Sequence, residues 1–132
     1  MIGVRPADGS VEAVEVPDPV GDGVLVEVAA AGICGSDLHI MGLGGGVTLG
    51  HEFAGYVDGR PVAVQPFVHC LRCEPCLAGR TALCRPGTQA LHGIHRDGGM
   101  ADAVVVDPSC LVVLPEGLDV AGGEDRIDLA EH

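Results

Sequence analysis

Four cysteines, Cys70, Cys73, Cys76 and Cys84, stand in the pattern C-x2-C-x2-C-x7-C, in a stretch with little else to hold it together. Residues 66–86 otherwise carry mostly Pro, Gly, Arg and small side chains, with little capacity to build a core. A Cys-x2-Cys turn places two sulfurs on one ion, and four thiolates complete a tetrahedral zinc shell. Metal binding then supplies the folding energy that apolar burial cannot. The spacing therefore predicts a structural-zinc lobe at 66–86.

Two alternatives to that lobe exist. Two disulfides would need an oxidising compartment. An iron–sulfur site shares the C-x2-C-x2-C opening, but the bacterial run of that type has its fourth Cys three residues on, followed by Pro. Arg80 occupies that place here, and no second cluster motif occurs. An iron-bearing electron carrier is thus disfavoured.

The rest of the chain must supply a core from aliphatic groups. Of its 132 residues 47% are hydrophobic but only 2% aromatic, and Val dominates several short runs, as β-branching favours in strands. With 21 Gly and 9 Pro the chain turns often. Residues 24–29 read as a mostly buried strand. Residues 54–57 and 61–64 flank Asp58-Gly59, a two-residue hairpin signal. Residues 103–106 and 111–114 add two strands around Asp107-Pro108, and Cys110 reads as core. Residues 34–39 suit one short helical turn. Past Pro115 the pattern fades, so 1–118 is expected to form the domain and 119–132 an acidic tail left by truncation.

Nineteen acidic residues against seven Arg and no Lys give a formal charge of −12, the wrong sign for tracking a nucleic-acid backbone. No run approaches the ~18 apolar residues of a membrane span, and residues 1–6 hold no apolar signal region. The expected location is cytoplasmic, where thiols stay reduced, so cysteines are read as metal ligands first.

A second candidate metal set lies outside the lobe. Cys34, His51 and Glu52 offer the three protein ligands of a catalytic zinc with one position left open. Gly32-Ile33-Cys34-Gly35-Ser36-Asp37-Leu38-His39 and Leu49-Gly50-His51-Glu52-Phe53-Ala54-Gly55 resemble the two catalytic motifs of the medium-chain zinc alcohol and polyol dehydrogenases. Val62-Ala63-Val64 before the cysteine lobe, and Asp97-Gly98-Gly99-Met100-Ala101 after it, match in type and order. The resemblance covers roughly residues 20–118, and the ordered set is more specific than any one motif.

That resemblance implies a mainly β fold, a GroES-like antiparallel β-barrel carrying the structural-zinc lobe. It implies Cys34 and His51 as zinc ligands, with Glu52 a ligand or an exchangeable neighbour. Asp37 would orient a ligand imidazole, and Ser36 and His39 would relay the alcohol proton to solvent. The substrate implied is a small alcohol or polyol, and the combination leans toward the polyol, butanediol and threonine branch. Two zinc ions per chain are expected if the catalytic site is intact, and one if truncation has disabled it.

Departures from the pattern matter equally. The family's coenzyme half carries G-x-G-x-x-G after a strand, and nothing here matches: residues 42–46 are Gly-rich but follow no expected strand. The Rossmann domain is therefore expected to be absent, and NAD(P) to act only if a separate coenzyme-binding chain supplies it. The stretches between His39 and His51 and across Tyr56 to Pro61 look short for the family. Glu131 faintly echoes a later acidic residue serving the catalytic zinc, in a tail that otherwise reads as frayed. A zinc-stabilised binding module without turnover is the alternative function. His92 and His95 have metal-pair spacing but read as exposed loop histidines, and His69 as unnecessary beside a complete cysteine set.

Overall fold

The structure, a computed structural model, describes residues 1–7, 10–33, 46–88, 90–118 and 120. The mainly β expectation holds. Strand β1 (Ile2–Ala7) pairs antiparallel with β2 (Ser10–Glu15). A five-stranded antiparallel sheet follows, built from β3 (Val24–Ala31), β4 (Phe53–Val57), β5 (Arg60–Val64), β6 (Ala103–Val106) and β7 (Leu111–Val113) in the order β6-β3-β4-β5-β7. Short helical turns, α1 (Glu74–Leu77) and α2 (Arg85–Thr88), with a 3-10 turn at Thr81–Leu83 between them, belong to the cysteine lobe. None of the described helices is long and apolar enough to cross a membrane.

The connection from β6 to β7 shows that this sheet must curl. The two strands stand at opposite ends of the ladder, four strand spacings or about 19 Å apart if the sheet were flat. Only residues 107–110 join them, and Pro108–Cys110 are coiled into a 3-10 turn. Five extended Cα steps reach at most about 17 Å, and a coiled turn reaches less. The sheet therefore rolls on itself, and one core fills the inside: Val26, Phe53, Val62, Val64, Val104, Val106 and Cys110 form a single buried cluster, against which Leu111 of β7 packs.

Alternation within the strands feeds that core. Val62 and Val64 of β5 are buried while Ala63 is not, and Val104 and Val106 do the same in β6. In β3, expected to be mostly buried at 24–29, the burial alternates instead: Val26 is wholly buried while Leu25 and Glu27 are exposed. The Asp58-Gly59 turn joins β4 to β5 as its chemistry predicts. Val57 pairs with Arg60, and both central residues have positive φ, 49° and 81°, as a type I′ turn requires. The β1–β2 hairpin has no sequence signal, because β2 is exposed almost throughout and β1 is mostly half-buried, which leaves no clear burial period. Val120, in the expected tail, is buried.

Candidate metal centre

Local backbone chemistry gathers the four lobe sulfurs. Cys73 precedes α1, Pro75 takes an opening position of that helix, and Leu77 N–H donates to the Cys73 carbonyl at 3.0 Å. Proline is tolerated there because the first helical N–H groups have no partner within the helix. The turn carries Cys76 inward, and the 3-10 turn at Thr81–Leu83 delivers Cys84, also buried. The sulfur atoms of Cys70, Cys73, Cys76 and Cys84 all lie within 4.8 Å of one another. Cys70 Sγ and Cys76 Sγ are 4.0 Å apart, close to the ~3.8 Å edge of a tetrahedron with metal–sulfur bonds of about 2.3 Å.

Backbone N–H groups point at these sulfurs. Cys73 N and Arg72 N donate to Cys70 Sγ at 3.2 and 3.4 Å, and Cys70 N and Gly87 N each donate to Cys84 Sγ at 3.3 Å. The N–H of Arg72, then that of Cys73, holds the Cys70 thiol at about 6. Desolvation pushes Cys76 up to about 12. A divalent ion matches four sulfurs so placed. Little else binds the lobe together, since Leu71, Leu77 and Leu83 are 60, 74 and 60% exposed. His69 does not join the set: its backbone N–H donates to Ser109 Oγ at 3.1 Å, and it is absent from the sulfur cluster.

The second candidate set is described in part. Cys34, Ser36, Asp37 and His39 lie outside the described residues, as does Glu131. His51 and Glu52 sit just before β4, both partly buried. Gly32 N–H donates to the Glu52 carbonyl at 2.8 Å, and Ala31 pairs with Phe53. The antiparallel ladder of β3 and β4 thus brings the backbone two residues before Cys34 beside the His51-Glu52 pair. The Glu52 Oε2 atom is buried and has no hydrogen-bond partner among the described residues. A buried carboxylate oxygen without a partner is costly, and a cation is one group that would satisfy it.

One histidine differs from expectation. His92 is not an exposed loop residue but 2% exposed. Its Nδ1 lies 2.8 Å from the Asp97 carbonyl, and burial lowers its pKa, so the neutral ring donates from Nδ1. The physical reason is glycine. Gly93 has φ 82°, and a methyl there would come within 2.6 Å of the Gly50 carbonyl oxygen. Only a bare backbone lets this loop press on residues 48–50 and cover the ring. His95 remains exposed, its Nδ1 accepting the Leu91 N–H at 3.1 Å, and neither histidine belongs to a cluster of three or more metal-ligating side chains among the described residues. Cys110 is core, as expected: fully buried, its thiol donates to the Phe67 carbonyl at 3.3 Å, and desolvation pushes it up to about 11.

Residues 21–116 match the family model described as the alcohol dehydrogenase GroES-like domain. The L-threonine 3-dehydrogenase of Streptomyces coelicolor is 38% identical, over 89% of this chain and 41% of its own. The crystal structure of galactitol-1-phosphate dehydrogenase from Escherichia coli is similar with a TM-score of 0.80 and 33% identity, over 92% of this chain and 40% of that one. A putative zinc-binding dehydrogenase from Sinorhizobium meliloti, solved bound to NADP, is similar with a TM-score of 0.73 and 39% identity, over 89% and 39%. The chain thus spans about two fifths of the length of these relatives.

Proposed function

Because this chain belongs to the alcohol dehydrogenase GroES-like domain family, we propose that it is the zinc-binding catalytic domain of an NAD(P)-dependent alcohol or polyol dehydrogenase, working on a secondary alcohol in a reducing, cytoplasmic compartment. The observation that carries the reading is the backbone tie from Gly32 to Glu52, which sets the approach to Cys34 against the His51-Glu52 pair. The polyol phosphate and hydroxy amino acid named for its relatives support a secondary-alcohol substrate.

In this reading Cys70, Cys73, Cys76 and Cys84 hold a structural zinc, and Cys34 and His51, with Glu52 as ligand or neighbour, hold a catalytic one. Zinc bound at the second set supplies Lewis-acid polarisation of the alcohol oxygen. Ser36 accepts the alcohol proton and His39 passes it to solvent. Asp37 fixes the ring orientation of a ligand histidine. The hydride acceptor is a nicotinamide held by a coenzyme-binding domain or partner chain. Orienting that acceptor lowers the barrier by about 7–11 kcal/mol, so residues 1–132 by themselves should give no turnover above background.

Native mass spectrometry should count two zinc ions, and NADH or NADPH formation on a panel of polyols should appear only when a coenzyme-binding domain is supplied, with Cys34→Ser abolishing it. Turnover without that domain would overturn the requirement for a coenzyme partner. Two metals with no turnover in either case would leave a zinc-stabilised module in place of an enzyme. Iron in the lobe would overturn the zinc reading altogether.

A further inference from the structure

Residues 48–50 lead into the candidate ligands His51 and Glu52 as a segment zipped on both sides. On one side Leu49 N–H donates to the Val4 carbonyl at 2.9 Å. On the other, Gly98, Met100 and Gly99 N–H donate to the carbonyls of Thr48, Leu49 and Gly50 at 2.8, 2.9 and 3.0 Å. Val4 N–H closes the layer onto the Met100 carbonyl at 2.9 Å. Glycine makes this fit possible, since a methyl on Gly98 would run into the Gly50 carbonyl. One side chain also enters the zipper: the Asp97 carboxylate accepts the N–H of buried Thr48 at 2.9 Å, three residues before His51.

Asp97 is itself held from behind. Its carbonyl accepts from the buried His92 ring at 2.8 Å. Gly93 N–H donates to the Arg96 carbonyl at 2.7 Å and closes the loop. The Arg5 guanidinium of β1 lies 4.0 Å from the same carboxylate oxygen. The Asp97 side chain is more than half exposed, but Thr48 is buried, so its N–H would be left without this acceptor if the carboxylate were removed. What that bond governs is where the Thr48–Gly50 backbone sits in the zipper, and with it where His51 and Glu52 begin.

We propose that Asp97 is a positioning residue for the candidate metal site at His51 and Glu52, acting through the Thr48 N–H on a loop anchored by His92. The proposal rests on the reading of His51 and Glu52 as ligands. Outer partners of metal ligands typically change metal affinity about 10- to 100-fold; Asp97 acts one step further back, so about tenfold is expected.

The test is a cadmium titration of the whole chain followed by 113Cd NMR, in which a four-sulfur site resonates far downfield of one with nitrogen and oxygen ligands. The wild type, Asp97→Ala and Asp97→Asn are compared, with Thr48 amide exchange measured in each. Asp97→Ala should weaken the upfield site about tenfold and speed Thr48 exchange, leaving the lobe resonance unchanged. Asp97→Asn keeps an acceptor oxygen and should restore both. An Asp97→Ala chain that binds the second ion as tightly as wild type overturns the proposal. So does equal weakening of both sites, or no rescue by Asn. A wild type showing the lobe resonance alone overturns the underlying reading of His51 and Glu52, and the proposal with it.

Discussion

Replacing Phe53 by Ala should remove a large part of the stability of the barrel. Phe53 is fully buried, and its ring lies directly against Gly99. Burying an aromatic ring covers about 150–250 Å², or about 4–6 kcal/mol at ~25 cal/mol per Å². Alanine keeps part of that, but the void cannot close easily. Phe53 is pinned in register with Ala31 on one side and Val64 on the other, so the strands cannot slide inward to fill it. The expected loss is about 3–5 kcal/mol, a large share of the ~5–15 kcal/mol of a typical domain. Urea unfolding of the zinc-loaded chain measures it. The chain has no Trp and one Tyr, and Tyr56 sits in β4 between Glu27 and Pro61, so tyrosine emission reports on this strand alone. With a slope of about 1–3 kcal/mol per M, the midpoint should fall by roughly 2 M. A loss below about 1 kcal/mol would show that Phe53 is not the centre of the core and refute the packing of the curled sheet around it.

Cys76→Ser should loosen residues 66–86 while sparing the rest of the domain, because the lobe's leucines are exposed and a metal ion on its four clustered sulfurs would be what orders it; limited proteolysis with and without chelator reads this, and unchanged resistance would show another source of order. Leu71→Gly should stabilise the lobe by roughly 0.5–1 kcal/mol, since Leu71 is exposed with φ 59° and glycine relieves that backbone strain at some entropic cost; a lowered thermal midpoint would contradict it. His92 predicts a pH dependence. Burial lowers its folded pKa below the unfolded value near 6.5, so the unfolded state takes up the proton first. The stability contributed by neutral His92 is whole above about pH 6.5 and declines as pH falls toward the folded pKa. Urea midpoints between pH 5 and 7.5 should therefore vary less in His92→Gln than in the wild type, and equal slopes would refute the assignment.

What could be read from residues in a row was local in its physics. The cysteine spacing acts over fifteen residues, and a Cys-x2-Cys turn brings two sulfurs together whatever surrounds it; the structure gathers all four. The Asp58-Gly59 turn depends on two φ angles, and the β-branched valines of β5 and β6 favour strands by themselves. The ordered motifs over residues 20–118 likewise pointed to the GroES-like family that the domain match bears out. Distance along the chain hid the rest. His92 stands among glycines with no periodic neighbours, so nothing local signalled that its ring would be covered. Its burial arises because Gly93 and Gly98 let one loop press on a segment more than forty residues away. The β1–β2 hairpin, exposed along β2 and half-buried along β1, left no hydrophobic period to read. Curling of the sheet follows from a four-residue link between strands at opposite ends of the ladder. Pairing order is a property of the whole fold, and only the tertiary structure could decide it.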